Sequence, residues 1–113
     1  MWLVNTIDAL REFPSDVRTK LGFGLYLAQI GKKHESAKPL YGFGAPVWEV
    51  RAADRSGTYR AVYVVHLRGA VYVLHVFQKK AKSGIATPRR EIELIRQRLR
   101  LAGELDVQAG GEG

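Results

Sequence analysis

The chain has 113 residues, 46% of them apolar, enough for one domain with its own core and too few for a second of ordinary size. It carries 18 Lys and Arg against 11 Asp and Glu, and the net charge of +7 draws it towards polyanions such as nucleic acid or an acidic protein surface. There is no cysteine, which excludes a disulfide scaffold, a thiolate nucleophile and Cys-ligated zinc. No apolar run approaches the roughly 20 residues of a membrane span, and the amino terminus lacks the layout of a secretory signal, so a cytoplasmic protein with no membrane partner is expected.

Trp2-Leu3-Val4-Asn5 reads as a short opening strand. From Thr6 to Gly31 the residues Ile7, Leu10, Phe13, Val17, Leu21, Leu25, Ala28 and Ile30 recur mostly three and four apart, as on the buried stripe of a helix. Pro14 interrupts that stripe, and Ser15 and Asp16 behind it predict a short first helix followed by a longer one from about Pro14 to Gly31. Residues 31–46, with Pro39, Pro46, Lys32, Lys33 and Lys38, are expected to form a basic loop without regular structure. Period-two patterning in 47–53, 58–67 and 70–78 predicts an antiparallel meander that turns at Asp54-Arg55-Ser56-Gly57 and at Arg68-Gly69. Thr87 as N-cap and Pro88 as first residue open a closing helix, with Ile92, Leu94, Ile95, Leu99 and Leu101 facing inward and Arg89, Arg90, Arg96, Arg98 and Arg100 opposite. The glycine-rich end has little to bury, so the domain is expected to span 1–104 and residues 105–113 to form a disordered tail. Helices and a small sheet in this order make an α+β domain.

Strand register follows from the turns. A symmetric turn at Arg68-Gly69 pairs Arg60 with Phe77, Val62 with His75 and Thr58 with Lys79, and one at Arg55-Ser56 pairs Arg51 with Arg60 and Glu49 with Val62. Glu49, Arg51, Arg60, His75, Phe77 and Lys79 then share one face, and Trp48, Val50, Tyr63, Val65, Leu74 and Val76 the other. Like charges directly opposite across a ladder repel, so Arg51 facing Arg60 asks for an explanation, which a bound phosphodiester would supply. The same residues also fit a solvated strand face with an ordinary ion pair.

Other chemistries find little footing. No two histidines stand at ligand spacing, so no metal is expected, and His75 and His66 fit packed strand positions as well as functional ones. Gly22-Phe23-Gly24 and Gly42-Phe43-Gly44 lack the strand-to-helix setting of a phosphate loop, and Ser56 and Ser83 lack the elbow that activates a hydrolase nucleophile.

Trp48-Glu49-Val50-Arg51, Gly57-Thr58-Tyr59-Arg60, the run from Tyr72 to Lys80 ending Phe77-Gln78-Lys79-Lys80, and Arg90-Glu91-Ile92-Glu93 together resemble the RelE/ParE toxins of bacterial type II toxin–antitoxin systems. The likeness is greatest to their phage-derived, HigB-like branch, and it runs from about Leu10 through Leu99. It implies a RelE-like fold: a small antiparallel, partly mixed sheet with two N-terminal helices and a C-terminal helix packed on it, the helices on one side and a concave basic face on the other. It also implies a metal-independent endoribonuclease without cofactor that cuts mRNA, on the ribosome, by attack of the 2′-hydroxyl on the adjacent phosphorus. On that reading Arg60 and Arg51 hold the phosphate, Lys79 and Lys80 neutralise charge or exchange a proton, and Glu49 is the general base with His75 in reserve. Phe77 is set to stack on a base, and His75, Lys82 and Lys38 to contact RNA.

The family commonly places Tyr, His or Asp near the carboxyl end for proton transfer, and here residues 105–113 offer only Asp106 and Glu112. Two further readings therefore stand beside the nuclease: a ParE-like toxin acting on DNA gyrase, and a non-catalytic basic module that binds nucleic acid or protein. The resemblance also implies a cognate antitoxin with a helix-turn-helix DNA-binding domain.

Overall fold

The computed structural model describes residues 2–3, 5–65, 70–79 and 88–111, with side chains to residue 107. Its elements run α1 (Thr6–Arg11), α2 (Ser15–Gln29), β1 (Lys38–Leu40), β2 (Val47–Asp54), β3 (Gly57–Val65), β4 (Val71–Lys79) and α3 (Arg89–Gly111). Pro14 sits just outside α2, its fixed φ of −54° suiting the entry, and its carbonyl accepts the Arg18 N–H at 2.9 Å. The four strands form one antiparallel sheet in the order β1-β2-β3-β4. Trp2 adds a single parallel bridge to Val73, and the Leu3 N–H donates to the Val73 carbonyl at 3.1 Å, so the expected opening strand is reduced to this contact and the sheet is partly mixed.

Both faces of the sheet are covered. Alternation sends Val50, Ala61, Tyr63 and Val76 towards α1 and α2, where they enclose Leu10, Val17, Leu21 and Leu25. Val47, Val62, Val64 and Leu74 point the other way and meet Ile95 and Ala102 of α3, with Leu99 and Leu105 packed alongside. Placing all three helices on one side is thus incorrect: α3 lies across the face that carries the charged residues. The physical reason is on the sheet itself, since an antiparallel strand as apolar as β4, buried along nearly its whole length, needs cover on both sides.

Three other expectations change. The basic loop contains β1, whose Lys38, Pro39 and Leu40 pair with Glu49, Trp48 and Val47; a three-residue edge strand carrying a proline has no period for a sequence pattern to reveal. Leu74 belongs with α3, not with Trp48 and Val50, because the register shifts by one between Val62 and Tyr63: Val62 pairs with His75 but Tyr63 with Val73. A symmetric turn would have set Val65 against Tyr72 where the structure sets it against Val71, and beyond the bulge the predicted pairs, from Val62 to Thr58, are the observed ones. Helix α3 takes in residues 105–111, which composition assigned to a disordered tail. The Arg68-Gly69 turn, His66, Ser83 and the Thr87 cap lie outside the described residues.

Candidate functional site

The β2–β3 turn fixes the register on which the site depends. Asp54 Oδ1 accepts the Ser56 hydroxyl at 2.6 Å and the Ser56 N–H at 2.8 Å, and these bonds hold its carboxyl below the ordinary range. Gly57 follows with φ 139°, where an added Cβ would lie 2.9 Å from the Gln78 amide nitrogen, and that amide donates to the Ser56 carbonyl at 2.7 Å. The turn is therefore held by Asp54 at the end of β2 and by Gln78 of the neighbouring β4, and Arg51 stands opposite Arg60 as predicted.

Paired residues share a face, so three rows lie on the α3 side. Lys38, Glu49, Val62 and His75 form one, Arg51, Arg60 and Phe77 the next, and Ala53, Thr58 and Lys79 the last. Strand β1 brings Lys38 into register with Glu49, a neighbour that the loop reading could not supply. The Arg51 N–H donates to Ser36 Oγ at 3.1 Å, and the Ser36 hydroxyl donates to His34 Nδ1 at 2.8 Å, which ties the preceding loop against β2.

Within these rows Arg60 Nη1 donates to Glu49 Oε1 at 2.5 Å in an ion pair whose carboxylate is only 2% exposed. Glu49 Oε2, Arg60 Nε and Lys79 Nζ are shielded from solvent and have no hydrogen-bond partner among the described residues. Each such atom costs about 1–3 kcal/mol. Burial pushes the Lys79 ammonium below its ordinary pKa, Arg60 and Arg51 push the same way, and Glu49 opposes them. Three cations thus share one carboxylate in a place partly closed to water, the arrangement in which a bound anion would gain most.

His75 and Phe77 are built differently. The Arg98 guanidinium can only donate, so its 2.7 Å contact with His75 Nδ1 makes that nitrogen an acceptor; Nε2 therefore carries the proton and donates to Glu91 Oε2 at 2.6 Å. Burial lowers the His75 pKa, Arg98 adds to the fall, and Glu91 opposes it. Phe77 is buried in the α3-side core with its ring stacked on His75 at 5.0 Å between centroids. Both ring nitrogens of His75 are engaged and the Phe77 ring is packed, so neither presents a free group to a ligand. Lys80 and Lys82 lie outside the described residues.

Glu91 and Arg98 are the residues that sequence reasoning misses, since hydropathy groups Arg98 with the arginines opposite the apolar stripe. Their signal is a spacing: Glu91, Ile95, Arg98, Ala102 and Leu105 recur four, three, four and three apart, and that stripe is the one α3 turns to the sheet. Arg98 also donates to the Leu74 carbonyl at 3.2 Å, beside the bulge, so the carbonyl acquires a partner from the helix. Among the described residues no group of three or more His, Asp or Glu side chains is placed to hold a metal ion, and no helix is long and apolar enough to cross a membrane.

The model of the family described as "Phage derived protein Gp49-like (DUF891)" matches residues 8–100 of the chain. No curated protein matches the chain.

Proposed function

The chain belongs to the Gp49-like family of phage-derived proteins, and from that membership and its buried cationic cluster we propose that it is the toxin of a type II toxin–antitoxin system, an mRNA endoribonuclease of the RelE/ParE, HigB-like kind. The observation that carries the reading is the set of three buried polar atoms without partners among the described residues, on Glu49, Arg60 and Lys79, beside a fourth charged group on Arg51. Groups left unsatisfied in one place at a cost to the fold are what a catalytic site for an anionic substrate requires.

In this reading Arg51 and Arg60 clamp the scissile phosphodiester and stabilise the charge that gathers on phosphorus in the transition state. Glu49 holds Arg60 in place through Oε1 and takes the 2′-hydroxyl proton on Oε2. The 2′-oxygen bonds to phosphorus, the bond to the 5′-oxygen breaks, and Lys79, whose charge is already disfavoured, returns a proton to that oxygen. The products are a 2′,3′-cyclic phosphate and a 5′-hydroxyl, and no metal or cofactor enters. A cognate antitoxin with a helix-turn-helix domain keeps the toxin silent in the cytoplasm, with mRNA on the ribosome as substrate. Inducing the wild-type chain and mapping mRNA ends tests this. New 5′-hydroxyl ends that vanish with Arg60→Ala are expected. Growth arrest with intact messages and trapped gyrase–DNA complexes would overturn the reading in favour of a gyrase poison.

A further inference from the structure

A second cationic feature lies on the α3 side, away from the clamp. The loop between β1 and β2 carries Phe43 between Gly42 at φ 93° and Gly44 at φ 70°, backbone conformations that favour glycine on each side of the aromatic ring. Phe43 is directed at α3, where the Arg96 guanidinium lies 5.2 Å above its ring centroid. With Leu99 and Arg100 they line an open groove of about 260 Å³, room for a flat ring rather than a single water, which takes about 30 Å³. The floor is apolar and the walls are cationic. Glu93 and Glu104 on the same helix form no ion pair with Arg96 or Arg100 among the described residues, so both charges are available to a ligand. Tyr41, two residues before Phe43 on the same loop, is 86% exposed.

We propose that this groove is a stacking subsite for single-stranded RNA, in which an unpaired base lies on the Arg96 guanidinium already seated on Phe43 while Arg100, one turn further along α3, takes a neighbouring phosphate. Guanidinium planes and aromatic rings stack on unpaired bases whatever their identity, and a positive wall beside them tracks the backbone. A purely apolar partner would leave the two arginines desolvated and unpaired, whereas a polyanion satisfies them. Strand β2 links the groove to the clamp. Phe43 packs in the same core as Val47 at the start of β2, and Arg51 lies four residues along that strand, about 13 Å at the usual strand rise. One strand of RNA can reach both in a few nucleotides, which would give the toxin a contact with sequence flanking the bond it cuts. This inference rests on the reading of the protein as an RNA-cutting toxin.

The test is fluorescence anisotropy with a short, fluorescein-labelled single-stranded RNA whose 2′-hydroxyls are all methylated, so that binding is read without cleavage. Arg96→Ala with Arg100→Ala is compared with Arg89→Ala with Arg90→Ala, which removes the same charge from an exposed site elsewhere on the helix. The groove pair is expected to weaken binding at least about tenfold, the scale of one base stack, and more than the control pair does. Phe43→Leu keeps an apolar side chain and the net charge but loses the ring; it is expected to weaken binding in the same direction, with the melting temperature of each variant as the check on folding. Equal losses from the two arginine pairs overturn the proposal, as does a folded Phe43→Leu protein that binds like wild type. Should the groove pair abolish binding of a polyglutamate peptide and leave RNA binding unchanged, the groove serves an acidic protein and the proposal is again overturned. Failure of the wild type to bind the RNA overturns the subsite and leaves the nuclease reading to the mapping of mRNA ends, while mRNA cleavage that depends on Arg60 but not on the groove likewise removes the subsite alone.

Discussion

Lys79 stands where burial and two guanidinium groups all act against its charge, with one carboxylate acting for it. A side chain so placed lowers stability at neutral pH, because the unfolded chain carries the same ammonium in water at no cost. Lys79→Met keeps the length and the apolar stem. It is expected to raise the melting midpoint by several degrees, as about 1 kcal/mol does in a domain of this size, while abolishing mRNA cleavage; a midpoint below wild type would show that Lys79 is stabilised by contacts that offset its desolvation. Glu49 behaves in the opposite way. Its removal leaves the Arg60 guanidinium largely buried without a partner, and Glu49→Ala is expected to lower the unfolding free energy by about 3 kcal/mol in a denaturant titration. Side-chain alternation alone brings Glu49, Arg51, Arg60 and Lys79 to one face, so the membership of the cluster is legible in the sequence. What alternation cannot convey is how deep that face lies, and depth is what separates the paired Glu49 from the half-exposed Arg51.

At the scale of elements, α3 shows how an inward face can hide. Reading only apolar residues selects Ile92, Leu94 and Leu101, whereas the helix turns Glu91, Ile95, Arg98 and Ala102 to the sheet, since the two charged residues find buried partners in His75 and the Leu74 carbonyl. A sequence pattern can weigh hydropathy, but not the acceptors that a bulge on a distant strand makes available. Arg96 and Arg98, which hydropathy cannot tell apart, are therefore expected to differ sharply. Arg98→Met leaves the Leu74 carbonyl and His75 Nδ1 without a donor and costs about 1–3 kcal/mol, whereas the exposed Arg96→Ala stays within about 0.5 kcal/mol. Chemical denaturation of the two variants side by side checks this, and equal losses would refute a structural role for the Arg98 contacts. Strand β1 was illegible for another reason: its existence depends on the β2 edge being present to pair with, and nothing local in Lys38-Pro39-Leu40 favours a strand.

For the molecule as a whole, His75 joins the two layers on which stability depends, since it sits in the sheet and both of its ring nitrogens bond to α3. Its pKa in the folded protein lies below the ordinary value of about 6.5, chiefly because of burial, with Arg98 adding to the shift. As pH falls, the unfolded chain takes up this proton first, so stability is fully present above about pH 6.5 and is lost progressively towards the lower folded pKa. Protonation also turns Nδ1 from an acceptor into a donor facing the donor Arg98, so the helix contact is weakened where the charge arrives. The melting temperature is therefore expected to fall between about pH 7 and pH 5, a range that lies above the ordinary titration of carboxylates. His75→Gln can still accept from Arg98 and donate to Glu91, but it cannot titrate, so it should flatten the pH dependence relative to wild type while His34 and His66 remain in both proteins. A wild-type melting temperature that rises on acidification through this range would show that Glu91 dominates and that His75 is held charged in the fold. A His75→Gln protein with the wild-type slope would instead place the titration on another group.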